Sequence, residues 1–201
     1  MIFYDPAEGH GLPHDPFKAL VAPRPIGWIS SLDAEGRPNL APYSFFNGIS
    51  GRPPMVLFSS EGRKDSVNNI EKTGAFVCNI ATWDLREEMN KSSAPAAPGV
   101  SEFELAGLEM APGRAVDVPR VARCAAALEC RYVETVVVKD IDGKPVDSFV
   151  VIGQVVGVHI DERVLKDGLV DMSKLRLISR LGYMDYAVID EVFQMVRPTT
   201  A

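Results

Sequence analysis

The chain has 201 residues, 46% of them hydrophobic, with 21 Lys and Arg against 27 Asp and Glu and a formal net charge of −6. This length and composition predict one soluble globular domain over residues 1–201, able to bury a core without disulfides or a structural metal. An acidic chain without a dense basic block is a poor candidate for nucleic acid binding, and no apolar run is long enough to cross a membrane.

Alternating and β-branched apolar residues predict strands through most of the chain, with short polar turns between them. Two prolines around Arg24 force an extended entry into the first strand, and Pro42 favours an edge position, a bulge or a ligand-facing irregularity in the second. One helix is expected to be capped by Asp65 or Ser66 and to be stopped by Gly74. The predicted strands are residues 26–32, 39–46, 55–59, 75–80, 125–138 and 148–160.

A loop-rich stretch containing four prolines lies at about residues 92–120. It predicts an excursion, an insertion or lid outside the barrel core, with a short helix around residues 102–106. The remaining pattern contains six or seven strands, mostly joined by hairpins, and few helices. It favours a mainly β fold, an antiparallel barrel, over a doubly wound parallel sheet.

The cysteine pattern bears on the cellular compartment. Cys78, Cys124 and Cys130 are odd in number and lack CxxC spacing, which argues against a disulfide framework or a zinc site. They are predicted to be buried free thiols, and the polar N-terminus does not have the character of a signal peptide. The expected location is therefore cytoplasmic.

The common nucleotide-binding and zinc-binding motifs are missing from the sequence. The segment Ser59–Ser66, SSEGRKDS, predicts a local anion site. A strand, a Gly-containing loop and a helix start form the geometry in which backbone N–H groups and hydroxyls hold phosphate. Arg63 and Lys64 would supply positive charge. The same residues equally fit an ordinary helix cap beside a solvated basic pair.

The segment Ala41–Asn47, APYSFFN, combines small residues, an irregular proline and adjacent aromatics. Such a segment suits a flat ring laid against backbone amides. Its aromatic residues are as well suited to filling a barrel core. Ser30 and Ser31, at the end of the first strand, are expected to face the same region.

Several ordered segments together resemble the flavin reductase-like family of FMN-binding split-barrel proteins. The resemblance covers most of the chain apart from the excursion and the termini. The matching segments are RPIGWIS at 24–30, NLAPYSFFN at 39–47, PP at 53–54, KDS at 64–66, NI at 69–70, TGAFVCN at 73–79, GQVVGVHID at 153–161 and SRLGY at 179–183.

The resemblance implies an antiparallel Greek-key split β-barrel, assembled as a homodimer with FMN at the subunit interface. It implies that His159, as the catalytic residue, faces the flavin and the nicotinamide, although a core histidine would also fit that strand. Tyr183 stands where relatives often have a second glycine, so its contact with flavin is an open point. The implied cofactor-binding residues are Ser30, Ser31, Ala41, Pro42, Tyr43, Ser44, Phe46, Asn47, Ser59, Ser60, Arg63, Lys64, Asp65, Ser66, Arg180 and Tyr183.

Hydride transfer from nicotinamide to flavin requires orientation and electrostatic tuning more than catalytic side chains. The leading hypothesis is therefore an FMN-binding NAD(P)H-dependent flavin reductase that serves a downstream oxygenase or another electron acceptor. The alternative hypothesis is an FMN-binding electron-transfer protein reduced by a protein partner.

Overall fold

A computed structural model describes residues 1–96 and 100–198; residues 97–99 of the predicted excursion and residues 199–201 lie outside the described part. The strands are β1 (Arg24–Pro25), β2 (Gly27–Leu32), β3 (Pro38–Tyr43), β4 (Phe46–Gly51), β5 (Pro54–Glu61), β6 (Ala75–Ile80), β7 (Met110–Ala111), β8 (Arg120–Val121), β9 (Ala126–Lys139), β10 (Pro145–Ile160), β11 (Leu165–Lys166), β12 (Leu169–Val170), β13 (Ile178–Arg180) and β14 (Tyr186–Val188). The α-helices are α1 (Phe17–Leu20), α2 (Asp65–Thr73), α3 (Arg86–Lys91), α4 (Glu102–Ala106) and α5 (Met172–Leu175), and 3-10 turns occupy Trp83–Leu85 and Glu162–Val164.

The main sheet has seven strands in the order β3-β2-β6-β9-β10-β5-β4, and all neighbouring strands are antiparallel. The sheet curls, so the ring of Tyr43 at the end of β3 lies 4.6 Å from the ring of Phe58 on β5. The predicted fold class, a mainly β antiparallel split barrel, is confirmed. The barrel interior is filled by apolar side chains that include Ile29, Val56, Phe58, Ile70, Phe76 and Val151.

Alternate residues of β2 belong to two separate hydrophobic cores. Ile29 packs inside the barrel, whereas Trp28 packs on the outer face with Phe103, Leu108 and Val121 of the excursion. The described part of the excursion packs on the outer face of β2. Phe103, Ala106 and Leu108 are buried in this second core, whereas Val100, Leu105 and Met110 are exposed. The short helix expected around residues 102–106 is present as α4.

The strand expected at residues 39–46 is interrupted after Tyr43. β3 pairs with β2 and forms an edge of the main sheet, as Pro42 predicted. The carbonyl oxygen of Phe45 accepts a hydrogen bond from the Ser59 N–H, and β4 then pairs with β5. Because the chain changes partner strand at this point, one predicted strand is in fact two. A small sheet of β1, β13 and β14 was not predicted.

The cysteines are free and buried, as predicted. Cys78 and Cys130 lie in the barrel core and Cys124 lies in the second core. Burial raises the pKa of the Cys124 thiol to about 12.

Residues 1–96 and 100–198 were compared with the requirements of a metal cluster and of a membrane-spanning helix. No group of three or more His, Cys, Asp and Glu side chains in this part of the chain could hold a metal ion. None of its helices has the length and apolar character needed to cross a membrane.

A tight contact of Gly153 on β10 gives a stability prediction. A Cβ atom at this position would lie 2.4 Å from two ring carbons of Phe76. Because the core cannot move apart freely, Gly153→Ala is expected to lower the free energy of unfolding by about 1–3 kcal/mol in urea titration. Gly51→Ala is the control, since a Cβ there meets nothing within 4 Å. Equal losses in both variants would contradict the prediction.

Candidate functional site

The segment between β5 and α2 has the predicted geometry of strand, loop and helix start. Gly62 turns the chain in the left-handed region at φ +81°. The N-cap residue of α2 is Lys64, so the prediction that Asp65 or Ser66 caps this helix is wrong: both already lie in its first turn. No side chain caps this helix, so its N-terminal dipole remains available to an anion. The exposed Lys64 side chain forms no ion pair with any described residue.

The second basic residue of this loop is already engaged. The guanidinium of Arg63 forms an ion pair with Glu71 and lies 5.0 Å from the centre of the Phe149 ring. Asp65, the first residue of α2, is exposed and places a negative charge beside Lys64. Of the predicted basic pair, Lys64 is therefore the side chain that is available to a phosphate.

A chain of hydrogen bonds connects the start of α2 with the excursion. The Ser66 hydroxyl donates to Asn39 Oδ1 at 2.9 Å, and Asn39 Nδ2 donates to Glu102 Oε2 at 3.1 Å. The same carboxylate oxygen accepts the Leu40 N–H at 2.9 Å. These contacts fix α2, β3 and α4 relative to one another.

A cleft of about 1040 Å³, here called the α2 cleft, opens beside these groups. Its charged lining is mixed and carries more acids than bases. The acidic residues are Asp33, Glu35, Asp65, Glu102 and Glu104, and the basic residues are Arg37, Lys64 and Lys72. An anion at the start of α2 would therefore depend on Lys64 and nearby backbone N–H groups, because the surrounding field is not positive.

Three of the predicted cofactor-binding serines are turned into the protein. The side chains of Ser30, Ser31 and Ser60 are fully buried. The Ser30 hydroxyl donates to the carbonyl oxygen of Pro119 at 2.6 Å, and that of Ser60 donates to the carbonyl oxygen of Gly62 at 2.7 Å. The Ser31 hydroxyl lies between the side chains of Asn39 on β3 and Asn69 on α2. The geometry of these three hydroxyls gives no support to a contact with a ligand.

The aromatic residues of the predicted ring segment are core residues. Tyr43 is buried in the barrel core, and Phe46 packs against the same core. The Tyr43 hydroxyl has no hydrogen-bond partner among the described residues, and burial raises its pKa. The sequence also allowed the aromatic residues of this segment to fill the barrel core, and Tyr43 and Phe46 do so.

The other members of this segment lie nearer the surface. Pro42 and Ser44 line a second cavity, described next. Asn47 is exposed, and its side-chain oxygen accepts the Gly48 N–H at 2.9 Å. Ala41 and Ser59 are half-buried.

The second cavity, of about 410 Å³, is here called the basic cavity. It brings together four predicted residues from distant parts of the chain: Pro42, Ser44, Arg180 and Tyr183. Its charged side chains are all cationic, namely Lys18, Arg24 and Arg180. The remaining lining residues are Ile26, Met89, Asn90, Ser93, Leu181, Met184 and Tyr186.

Arg24 was not among the predicted site residues. It is only 6% exposed, and its guanidinium donates to the carbonyl oxygens of Lys18, Val21 and Leu181. Its Nε has no hydrogen-bond partner among the described residues. Burial, and then the charge of Arg180, lower the pKa of Arg24. The position of this cation between two prolines was the signal that could have identified it.

His159, the predicted catalytic residue, lies apart from these groups within one chain. It lines neither the α2 cleft nor the basic cavity. Its Nε2 contacts the carboxylate of Glu129, which is fully buried. The two residues lie on β10 and β9, beneath the excursion.

The Glu129 carboxylate fastens the excursion to the barrel. It accepts the backbone N–H groups of Arg114, Ala115 and Val116 at 2.8, 2.6 and 2.9 Å. Burial alone would raise the pKa of Glu129, but these three hydrogen bonds and the His159 contact outweigh it and lower the pKa to about 2. The sequence pattern alone does not distinguish Glu129 from other strand residues.

Comparison with known proteins agrees with this architecture. The family model of the flavin reductase like domain matches residues 20–177. An uncharacterised protein of Halalkalibacterium halodurans is 35% identical, over 89% of this chain and 88% of its own. The crystal structure of nitrilotriacetate monooxygenase component B from Bacillus cereus is 30% identical, with a TM-score of 0.88 over 97% of this chain and 98% of that one. A split-barrel protein of Shewanella frigidimarina, 22% identical, has the same fold with a TM-score of 0.80 over 90% of both chains. The chain belongs to the family of the flavin reductase like domain.

Proposed function

We propose that this protein is an FMN-dependent oxidoreductase that accepts hydride from NADH or NADPH. The family match over residues 20–177 is the observation that carries this proposal. Bound FMN would supply a ring that accepts hydride and passes electrons on. The protein has to bind, orient and shield the reactants, and the site contains polar and cationic groups suited to that task.

The start of α2 fits the phosphate of FMN. Lys64 provides an unpaired cation within the described chain, and the uncapped helix provides a favourable dipole. We assign phosphate binding to Lys64 and the surrounding loop from Ser59 to Ser66. The segment from Pro42 to Asn47 would carry the ring along its backbone, because its large aromatic side chains are committed to the core.

A second copy of the chain is proposed to complete the site. In one copy His159 lines neither cavity, so we infer that it meets the flavin across a subunit interface. The end of β10 supports such an interface, because Val156, Val158 and Ile160 are exposed there. Apolar side chains grouped on one strand are typical of a surface that another molecule covers.

The reduced flavin is proposed to serve a separate acceptor, such as an oxygenase. The support is the similarity to nitrilotriacetate monooxygenase component B, which by its name is one component of a monooxygenase. An oxygenase partner would take up flavin or electrons after the reductive step.

Anaerobic titration of the FMN-loaded protein tests the proposal. NADH or NADPH is expected to bleach the flavin absorbance stoichiometrically, with dithionite as the control that shows full reduction. A protein that binds FMN and is reduced by dithionite, yet not by either nucleotide, would favour the electron-transfer alternative. A protein that takes up no FMN would contradict both.

The phosphate assignment predicts the effect of reversing one charge. Lys64→Glu is expected to weaken FMN binding by about 1 kcal/mol or more, because a charge-assisted contact is replaced by repulsion. Flavin fluorescence titration measures the affinity. Lys139→Glu, at the exposed end of β9, makes the same change in net charge away from the loop and is expected to have no effect. Equal FMN affinity in both variants would place the phosphate elsewhere.

A further inference from the structure

The charges around the basic cavity are unbalanced. Lys18 pairs with Glu61 at 3.0 Å, and both side chains are more than half exposed. Arg24 and Arg180 have no carboxylate partner anywhere in residues 1–96 and 100–198. In a chain with a net charge of −6, a cavity whose charged groups are all cationic is a local exception.

The two arginines are direct neighbours. Arg24 of β1 and Arg180 of β13 are register partners in an antiparallel pair, so their Cα atoms are about 4.5–5.5 Å apart and their side chains share a face. Like charges in this position repel each other and destabilise the pairing. Burial of Arg24 strengthens the repulsion, since little water screens it. An anion between the two guanidinium groups would remove this repulsion.

The walls of the cavity are built to orient a ligand. The Phe45 ring lies under both Lys18 and Arg24, at 5.6 and 5.7 Å. The Tyr186 ring lies 4.5 Å from the Arg180 guanidinium. These aromatic contacts hold the cations in place. The Arg24 guanidinium already donates to three backbone carbonyl oxygens, so it acts as a fixed buried charge. The half-buried Arg180 donates to the carbonyl oxygen of Tyr183 and retains further N–H groups that can bind phosphate oxygens.

The position of the cavity indicates which anion it receives. Pro42 and Ser44 line it, and both belong to the segment proposed to carry the flavin ring. Lys64, to which we assign the flavin phosphate, lines the separate α2 cleft. A molecule in the basic cavity would therefore approach the ring while carrying a negative group of its own.

We propose that the basic cavity binds the diphosphate group of the nicotinamide dinucleotide through Arg180, with the buried charge of Arg24 behind it. This inference rests on the proposed function. The flavin's own phosphate has the same chemistry and is the competing source of the anion. The volume of about 410 Å³ exceeds what a single phosphate needs and accommodates a diphosphate with part of an attached ribose.

The test uses two probes that contain a diphosphate but no nicotinamide, inorganic pyrophosphate and ADP-ribose. Each is titrated by calorimetry into FMN-loaded wild type, Arg180→Gln and the control Arg52→Gln, which removes the same charge at an exposed turn. Arg180→Gln is expected to weaken both probes by roughly tenfold or more, whereas the control leaves them unchanged. Its KM for the dinucleotide is expected to rise with little change in kcat, as for a contact made equally in the ground and transition states.

Further measurements distinguish a binding role of Arg180 from a structural role. They also distinguish the dinucleotide diphosphate from the flavin phosphate as the bound anion. The urea midpoint of ligand-free Arg180→Gln is expected to equal or exceed that of wild type, because the substitution removes a repulsive neighbour. Unchanged probe binding in Arg180→Gln would overturn the proposal. Loss of FMN affinity in this variant, with displacement of FMN by pyrophosphate, would also overturn it and assign the cavity to the flavin phosphate.

The hydride-transfer proposal and the assignment of the basic cavity can fail independently of each other. If neither NADH nor NADPH reduces the wild-type flavin, the hydride-transfer proposal fails. ADP-ribose binding that is lost in Arg180→Gln would still support the cavity assignment, and absence of such binding would still refute it.

Discussion

Replacing Glu129 by alanine is expected to lower the free energy of unfolding by roughly 3–5 kcal/mol, the largest stability effect we predict. The substitution leaves the backbone N–H groups of three consecutive residues, Arg114 to Val116, without their acceptor. It also removes the partner of His159. Urea unfolding followed by circular dichroism measures the loss.

Glu134→Ala is the matched control, because Glu134 lies on the same strand and is exposed. It is expected to change stability little, as most exposed substitutions do. A loss in Glu129→Ala no greater than that in the control would show that the carboxylate does not fasten the excursion.

Protonation of Glu129 at low pH is expected to lower the free energy of unfolding, as Glu129→Ala does. The pKa of Glu129 is lowered in the folded chain from its ordinary 4.5 to about 2. Its charge-dependent stabilisation is therefore fully present above pH 4.5 and is lost as the pH falls toward 2. The difference in unfolding free energy between wild type and Glu129→Ala should shrink over that interval. A difference that stays constant would contradict the assigned pKa direction.

The second large effect is expected for Asn79→Leu, at roughly 2–5 kcal/mol of unfolding free energy. The fully buried Asn79 amide donates to the carbonyl oxygen of Trp28 at 3.0 Å and to the Ser30 hydroxyl at 3.2 Å. Its oxygen accepts the Val121 N–H at 2.8 Å. Leucine has a similar volume, so the loss would report unsatisfied polar groups more than a cavity.

Thermal and urea unfolding of Asn79→Leu should be compared with Asn90→Leu, where the side chain is exposed on α3. The control is expected to remain close to wild type. If both variants unfold alike, the three buried hydrogen bonds of Asn79 contribute nothing measurable to the attachment of the excursion.

Local signals were sufficient to predict much of the fold. The helix from Asp65 to Gly74 has an N-terminal polar cluster and a C-terminal glycine in the left-handed region, and it forms as α2. Pro42 has no backbone N–H to donate to a neighbouring strand, and β3 is accordingly an edge strand. In each case the physical cause acts within a few residues of the sequence.

Features that depend on distant partners were not predictable in this way. The break after Tyr43 depends on a hydrogen bond to Ser59, which no local periodicity contains. The pairing of Arg24 with Arg180 joins the two ends of the chain, so the basic cavity could not be inferred from either segment alone. In the sequence Glu129 fits the pattern of an ordinary strand residue. Its role depends on backbone N–H groups of the excursion, which are distant in the sequence.

The two faces of β2 have a consequence for how the molecule loses its structure. Trp28 is anchored in one core and Ile29 in the other, so neither core can open without pulling on a strand that the other core holds. The excursion and the barrel should therefore melt as one cooperative unit, although they are separate layers. In a Trp83→Phe variant Trp28 is the single tryptophan, and its fluorescence reports the outer layer. That signal would then follow the same transition as the backbone signal of the barrel.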